Sequence, residues 1–163
     1  MKIGVISDTH IPVSACKLPP KVFDCFKNCD VIVHAGDVVD QEVLEELRGI
    51  AETKAVFGNM DRHNVKEALP EKIIFNVCGK SIGVTHGKGA PAKIIDTVKK
   101  MFSKKLDVII FGHSHVPYNG IIDGTLFFNP GSPTDTCFAP YRSFGMIEID
   151  ETGIRAEIIR IDE

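Results

Sequence analysis

Five short apolar segments of this chain are each followed at once by residues whose side chains bind metal ions. In chain order, the segments precede Asp8-Thr-His10, Gly36-Asp37, Gly58-Asn59, His86-Gly87 and Gly112-His113-Ser114-His115. An uninterrupted apolar run such as Val31–Val33 is typical of a parallel strand buried on both faces, and ligands of open α/β sheets bind beyond the carboxyl ends of such strands. Because soluble proteins scatter such polar residues over their surface, this repeated placement predicts a single site.

Asp37 is the central candidate of the predicted site, and the other candidate residues are considered with it. Gly36 leaves the backbone free to turn before Asp37 and lets a bound ion approach the carboxylate closely. The alternative interpretation of Asp37 is a helix N-cap, a role for which Asp40 competes.

The size and charge of the chain exclude several classes of protein. A length of 163 residues suits one well-buried core, so we expect a single domain over 1–163. The chain has 19 Lys+Arg against 22 Asp+Glu, and its cationic runs are no longer than lysine pairs. A protein that binds nucleic acid mainly through its phosphates has a continuous basic surface. The sequence shows no such basic segment, which argues against nucleic-acid binding. No apolar run approaches ~20 residues, so we expect no membrane span.

The cysteines indicate a reducing compartment. They are odd in number and form no Cys-x-x-Cys pair: Cys16, Cys25, Cys29, Cys78 and Cys137. The sequence also shows no secretory signal, so we expect a cytoplasmic location. Cys25 and Cys29 are spaced to chelate from one helical face, but free cysteines usually behave as small buried hydrophobes, and we leave both out of the site.

The order of predicted elements indicates an α/β fold. Strands alternate with helices over 20–28 and 41–50, the second capped by Asp40, and this predicts parallel strands with right-handed crossovers. A longer helix is predicted over 91–105. Hairpins are predicted from 73–77 with 81–85, 118–122 with 125–129, and 141–150 with 154–161. The pattern therefore predicts a parallel half followed by a more antiparallel half.

The five blocks, in this order, resemble the calcineurin-like metallophosphoesterases. The short length, Gly58-Asn59-Met60-Asp61 and the later Asn129-Pro-Gly-Ser132 are similar to the small bacterial and archaeal phosphodiesterases of the YfcE-like branch. The resemblance covers residues 2 to about 150. It implies two mixed β-sheets packed face to face and flanked by helices.

The resemblance also implies a ligand set for two metals. Asp8, His10 and His115 are implied to bind one ion, Asn59, His86 and His113 the other, and Asp37 to bridge the two. Two divalent ions about 3.5–4 Å apart lower the pKa of a shared water and offset charge during in-line attack on phosphorus. The expected reaction is hydrolysis of a small phosphodiester by a hydroxide that bridges the metals, with Asp37 and Asn59 as catalytic residues.

The ligand types narrow the choice of metal. Nitrogen and oxygen ligands without thiolate favour Mn, Fe, Ni, Co or Zn, and analogy with the family favours Mn. His34 precedes Gly36 by two residues, and we interpret it as a support for the ligands rather than as a ligand.

Four residues are candidates for contact with substrate. Asn59 is one through the resemblance, and Lys88 lies in the glycine-rich stretch after His86. Arg142 follows a long turn, 130–140, that we expect to form a rim or lid over the metals. His63 lies in a polar turn, where an exposed histidine without a role is an equal alternative.

Two other functions stay open at this stage. The fold resembles that of the retromer subunit, a protein-interaction scaffold that lost catalysis, although intact residues at all seven ligand positions argue against that function here. A nuclease subunit requires a basic surface that the sequence does not show. The sequence leaves a homo-oligomer open. The sequence also departs from the family pattern at Met60. Many members of the family that it resembles have a histidine at this position, and that histidine is thought to protonate the leaving group.

Overall fold

Residues 1–161 are described by the structure, a computed structural model, so the last two residues of the predicted domain 1–163 lie outside it. The described part forms strands β1 to β10 and helices α1 to α4. Their bounds are β1 Lys2–Ile6, α1 Pro20–Phe26, β2 Val31–His34, α2 Glu42–Arg48, β3 Glu52–Ala55, α3 His63–Ala68, β4 Lys72–Val77, β5 Lys80–Thr85, α4 Ile94–Met101, β6 Val108–Ile110, β7 Tyr118–Ile122, β8 Thr125–Asn129, β9 Ser143–Asp150 and β10 Gly153–Arg160.

The strands form two five-stranded sheets, in the orders β10-β9-β1-β2-β3 and β4-β5-β6-β8-β7. Strands β1, β2 and β3 are parallel in the first sheet, and β5, β6 and β8 are parallel in the second. The outer hairpin strands add antiparallel pairings to both sheets. The predicted parallel half agrees with β1, β2 and β3, and most pairings of the later strands are antiparallel, as predicted. The prediction did not include the pairing of β9 with β1 in the first sheet. The two mixed sheets are confirmed.

The sheets pack face to face because alternate residues of each strand point into one shared core. Ile3 and Val5 of β1 lie in this core with Val84, Ile110 and Phe128 of the second sheet. Such period-two burial is what a strand between two layers requires.

Helices cover the outer faces of both sheets. Apolar residues of α1 and α2, such as Phe26 and Leu44, pack on Ile32 of the first sheet. Val98 of α4 packs on Phe127 of the second sheet. The layers are thus helix, sheet, sheet, helix. Within residues 1–161, the helices are too short or too polar to cross a membrane.

Two predicted helices differ from the structure at their ends. Helix α2 begins after Gln41 without a side-chain cap, because the predicted cap, Asp40, pairs instead with Arg62 at 2.8 Å. The helix predicted over 91–105 is a 3₁₀ turn at Pro91–Lys93 followed by α4. It ends at Phe102, which adopts an extended backbone and packs with Leu106 in the core.

Candidate metal centre

All seven predicted ligand residues converge on one end of the two sheets. Strands β1, β2 and β3 of the first sheet lead to Asp8 with His10, to Asp37 and to Asn59, while β5 and β6 of the second sheet lead to His86, His113 and His115. The cluster is continuous, because six contacts link its seven members: His115–Asp8 at 3.3 Å, Asp8–His10 at 3.9 Å, His10–Asp37 at 3.5 Å, Asp37–His86 at 3.3 Å, His86–Asn59 at 3.2 Å and Asn59–His113 at 3.0 Å.

The turns that carry these residues adopt backbone conformations that are rare for L-residues. Positive φ angles occur at Asp8, His10, Asp37, Val39, His113 and His115. Such conformations cost free energy and persist where the surroundings fix them, which is typical of functional sites. Backbone hydrogen bonds between the turns do this here: Asp8 N–H donates to Gly36 at 3.0 Å, and Gly112 N–H donates to His86 at 3.1 Å.

Asp37 occupies the central position that a bridging ligand needs. Its Oδ2 lies 3.5 Å from Nε2 of His10 and 3.3 Å from Nε2 of His86, which belong to different predicted metal sites. Its Oδ1 accepts the N–H of Met60 at 2.7 Å. Gly58 makes this possible, since a Cβ there would lie 2.2 Å from Oδ1. A glycine before Asn59 is thus needed for this close approach.

Asp8 is fully buried and stays ionised in this environment. Oδ2 accepts a hydrogen bond from the hydroxyl of Ser7 at 2.7 Å, and the N–H of His113 is shared between Oδ2 at 3.1 Å and Oδ1 at 3.3 Å. Oδ1 also lies 3.3 Å from Nε2 of His115. Burial alone raises the pKa of Asp8, but contacts with His10 and His115 and the charge of His86 lower it far below its usual range.

Three histidines are each oriented by an acceptor on one ring nitrogen. Nδ1 of His86 donates to the carbonyl of Ala35 at 2.8 Å, and Nε2 of His113 donates to that of Gly89 at 2.8 Å. Nδ1 of His115 pairs with the carboxylate of Asp135. In each ring the opposite nitrogen faces an oxygen of the cluster. This arrangement fixes the tautomer of metal-binding histidines.

The cluster attracts positive charge. Burial lowers the pKa of His86, but the carboxylates of Asp37 and Asp8 outweigh it and raise the pKa to about 9. Burial likewise lowers the pKa of His115, and contacts with Asp8 and Asp135 raise it to about 9. These shifts show how strongly the buried carboxylates favour a cation beside them.

A buried nitrogen without a partner shows that the residues fit a metal. Among residues 1–161, Nε2 of His10 is a buried polar atom with no hydrogen-bond partner, a rare state in folded proteins. Two sets of ligand atoms lie within 4.8 Å of one another, namely Asp8, His10 and His115, and Asp8, Asp37 and His86. Asn59 adjoins the second set, with Oδ1 3.2 Å from Nε2 of His86. Imidazole and carboxylate ligands suit divalent transition metals.

His34 supports the turns with both of its ring nitrogens. Nδ1 accepts the N–H of Gly36 at 3.2 Å, and Nε2 lies 3.1 Å from the hydroxyl of Thr9. Burial lowers its pKa to about 3, so the ring is neutral. This geometry agrees with the interpretation of His34 as a support rather than a ligand.

The centre opens into a cavity of about 520 Å³. Its lining consists of His10, Val13, Ser14, Asp37, Asn59, Met60, Pro91, His113, Ser114, His115, Asp135, Cys137 and Phe138. Three of these come from the segment 130–140, which therefore forms part of the rim, as the sequence predicted.

Three predicted substrate contacts lie away from this cavity. Lys88 is exposed and lies 3.4 Å from Glu71. Arg142 lines another cavity, beside Pro133. The side chain of His63 is 87% exposed and lies 3.5 Å from Glu67. The structure groups only Asn59 of the four with the other predicted metal ligands, and all four substrate contacts stay predictions.

Two buried carboxylates support the ligands in ways that the sequence did not reveal. Asp61 accepts the N–H groups of Val39 at 2.6 Å, Gly58 at 2.7 Å and Asp37 at 3.2 Å. Burial raises its pKa. Asp135 orients His115, and the sequence analysis did not include it among the candidate site residues. The one sequence feature that points to it is its position three residues after Asn129-Pro-Gly-Ser132.

Sequence comparisons agree with this geometry. The family model of the calcineurin-like phosphoesterase superfamily domain matches residues 1–152. A probable metallophosphoesterase from Methanocaldococcus jannaschii is 40% identical over 166 residues, which cover 100% of this chain and 83% of the relative. A phosphodiesterase from the same organism is 31% identical over 143 residues, covering 80% of this chain and 83% of the relative.

Solved structures show the same fold. A Thermotoga maritima protein superposes with a TM-score of 0.76 at 35% identity, covering 98% of this chain and 99% of that one. Vacuolar protein sorting 29 from Cryptosporidium parvum superposes with a TM-score of 0.76 at 21% identity, covering 99% and 98%. The second likeness concerns the fold alone. This chain belongs to the calcineurin-like phosphoesterase superfamily, a family of metal-dependent phosphoesterases.

Proposed function

We propose that this chain hydrolyses phosphodiesters with two divalent metal ions. The observation that carries the proposal is the unpartnered Nε2 of His10, buried beside the carboxylates of Asp8 and Asp37. A cation at this position satisfies the nitrogen and both carboxylates together. Asp8, His10 and His115 would hold one ion, Asn59, His86 and His113 would hold the other, and Asp37 would contribute to both.

The bound ions, Asp37 and Asn59 have different roles in the proposed reaction. When bound, the ions supply Lewis acidity for activating water and offsetting charge on the phosphoryl oxygens. Asp37 fixes the spacing of the two sites, because Met60 N–H and the close approach of Gly58 immobilise its carboxylate. Asn59 is exposed to the cavity, and its side-chain amide donates to a phosphoryl oxygen. Such fixed donors aimed at developing charge stabilise a transition state.

The charge of the cavity favours a diester over a monoester. Within the described chain, the lining residues include no lysine or arginine. A phosphodiester carries one negative charge at neutral pH, whereas a monoester carries close to two. Because the cavity offers no lysine or arginine, the second charge of a monoester has no ion-pair partner beyond the metals, so a diester, which needs no such partner, is the better match.

Metal-dependent turnover tests the proposal. The protein is stripped with a chelator, reconstituted separately with Mn²⁺, Fe²⁺, Ni²⁺, Co²⁺ and Zn²⁺, and assayed on bis(para-nitrophenyl) phosphate and para-nitrophenyl phosphate. We expect turnover only with metal, highest with Mn²⁺, and a higher kcat/KM for the diester. A higher kcat/KM for the monoester contradicts the diester assignment. No turnover with any metal contradicts the catalytic assignment and favours a protein-interaction scaffold.

A further inference from the structure

A second, apolar groove adjoins the metal cavity. It has a volume of about 290 Å³ and lies between the start of α4 and the connection from β6 to β7. Pro91 and Ser114 line both the groove and the metal cavity. Ser114 separates the ligand histidines His113 and His115 in the sequence, so the groove begins one residue from the metal centre.

Apart from the hydroxyl groups of Ser114 and Tyr118, the side chains that line the groove are apolar. Ile94 and Phe111 form its floor, with 6% and 1% of their surfaces exposed. The ring of Tyr118 packs against Phe111, with centroids 6.5 Å apart. At the rim, Val116 is 47% exposed. The described lining contains no charged side chain. An exposed apolar concavity of this kind is typical of a ligand site.

We propose that this groove binds an apolar ester group of the substrate. The inference rests on the proposed function, since it places phosphorus at the metal centre and the ester group beyond Ser114. Preferred substrates are then phosphodiesters with one bulky apolar or aromatic ester group. Diesters with small or charged groups are poor substrates, because a small group leaves the groove unfilled and a charged one loses its hydration there.

The size of the groove agrees with this occupant. Ligand sites usually enclose about 300–1,000 Å³, and the groove and metal cavity together fall in that range. A phenyl or benzyl group that leaves water for such a groove gains roughly tenfold or more in binding.

Two esters with a common leaving group provide the kinetic test. Methyl para-nitrophenyl phosphate and benzyl para-nitrophenyl phosphate release the same phenol and differ only in the retained group. We expect the benzyl ester to have a kcat/KM about tenfold higher or more. The ratio of the two values on one protein is the readout, because loss of metal or fold lowers both rates together. A ratio near one overturns the groove while leaving the phosphodiesterase assignment intact.

Substitutions that place a charge at the rim test whether the preference for the benzyl ester arises from the groove. Val116→Asp and Ala92→Glu, which come from the two different segments that line the groove, should each reduce the ratio to near one. Ile74→Asp is the matched control, because Ile74 is similarly exposed, at 43%, but lies on β4 outside both cavities. It should keep the ratio of the unmodified protein. A fall of the same size in Ile74→Asp, or none at either rim position, contradicts the proposal.

A binding measurement tests the groove independently of turnover. Calorimetry of the Mn²⁺-loaded protein with dibenzyl phosphate and dimethyl phosphate compares the same two groups without a reaction. We expect dibenzyl phosphate to bind at least about tenfold more tightly, and Val116→Asp to remove the difference. Equal affinities for the two phosphates would overturn the inference about the groove, whether or not the nitrophenyl esters are hydrolysed. Failure to hydrolyse either nitrophenyl ester would overturn the proposed function instead.

Discussion

The carboxylate of Asp135 pairs with Nδ1 of His115 and turns Nε2 of that ring toward Asp8, 3.3 Å away. Asp135 also accepts the N–H groups of Cys137 at 2.8 Å and Ala139 at 3.1 Å, so it joins the rim of the cavity to the metal centre. A carboxylate in this position raises the basicity of a ligand histidine and fixes its tautomer.

Replacing Asp135 should therefore weaken metal binding without removing a ligand. We expect Asp135→Asn to reduce the affinity for one Mn²⁺ ion by about 10–100-fold, the usual cost of losing such a partner. Calorimetric titration of the metal-free protein with Mn²⁺ measures the change in affinity. Asp96→Asn, an exposed carboxylate on α4, is the control and should bind metal normally. Unchanged affinity in Asp135→Asn would remove this residue from the site.

His113 and His115 should serve different ions. Nδ1 of His113 faces Asn59 at 3.0 Å, whereas Nε2 of His115 faces Asp8 at 3.3 Å. We expect His113→Ala and His115→Ala each to retain about one metal per chain, lost from opposite sites. Elemental analysis gives the stoichiometry, and diffraction at the metal absorption edge gives the position. The division is wrong if the same ion is lost from both variants.

Much of the candidate site was predictable because each block of candidate ligands follows a strand within a few residues. The five blocks needed only local patterns, and parallel strands then bring their carboxyl ends to one edge. Asp135 lacked such a signal, because contacts across more than a hundred residues fix its segment. Thr134 donates to the carbonyl of Thr9 at 2.8 Å, and Ser132 donates to that of Asp8 at 2.7 Å.

The sheet order was less predictable than the strands themselves. Local turn signals placed the hairpins, and Asp123-Gly124 indeed has positive φ at both residues, as a type I′ turn requires. No local pattern indicates that β9 pairs with β1, with Ile3 opposite Ile147. The same holds for Arg142, whose predicted position near the metals depended on the path of a long turn.

Met60 predicts a strong dependence on the leaving group. Met60 lines the cavity but has no proton to donate, and the alternatives are poorly placed: Asp61 accepts backbone N–H groups, and His63 lies outside the cavity. General-acid catalysis contributes about 10²–10⁴-fold, so kcat/KM should fall steeply as the leaving-group pKa rises. A series of substituted phenyl and alkyl methyl phosphates measures the slope.

Met60→His should flatten that slope by supplying an imidazole. Met60→Gln is the matched control, since it has a similar size and no group that protonates an alcohol near neutral pH. It should keep the steep slope. A slope that is already flat in the unmodified protein would show that another acid acts, and Asp61→Asn and His63→Ala would then be compared.

Asp37→Asn should remove activity while the fold persists. The substitution keeps an oxygen for Met60 N–H but takes an anionic ligand from both ions, so we expect kcat/KM to fall by orders of magnitude. Circular dichroism and thermal unfolding check the fold. Retention of most of the turnover would be incompatible with two ions sharing this carboxylate.

The most direct test is diffraction from crystals of the Mn²⁺-loaded protein at the manganese absorption edge. We predict two anomalous peaks about 3.5–4 Å apart, both in contact with the carboxylate of Asp37, with His10 and His115 beside one and His86 and His113 beside the other. A single peak, or none at this cluster in protein that hydrolyses a diester, would contradict the two-metal account.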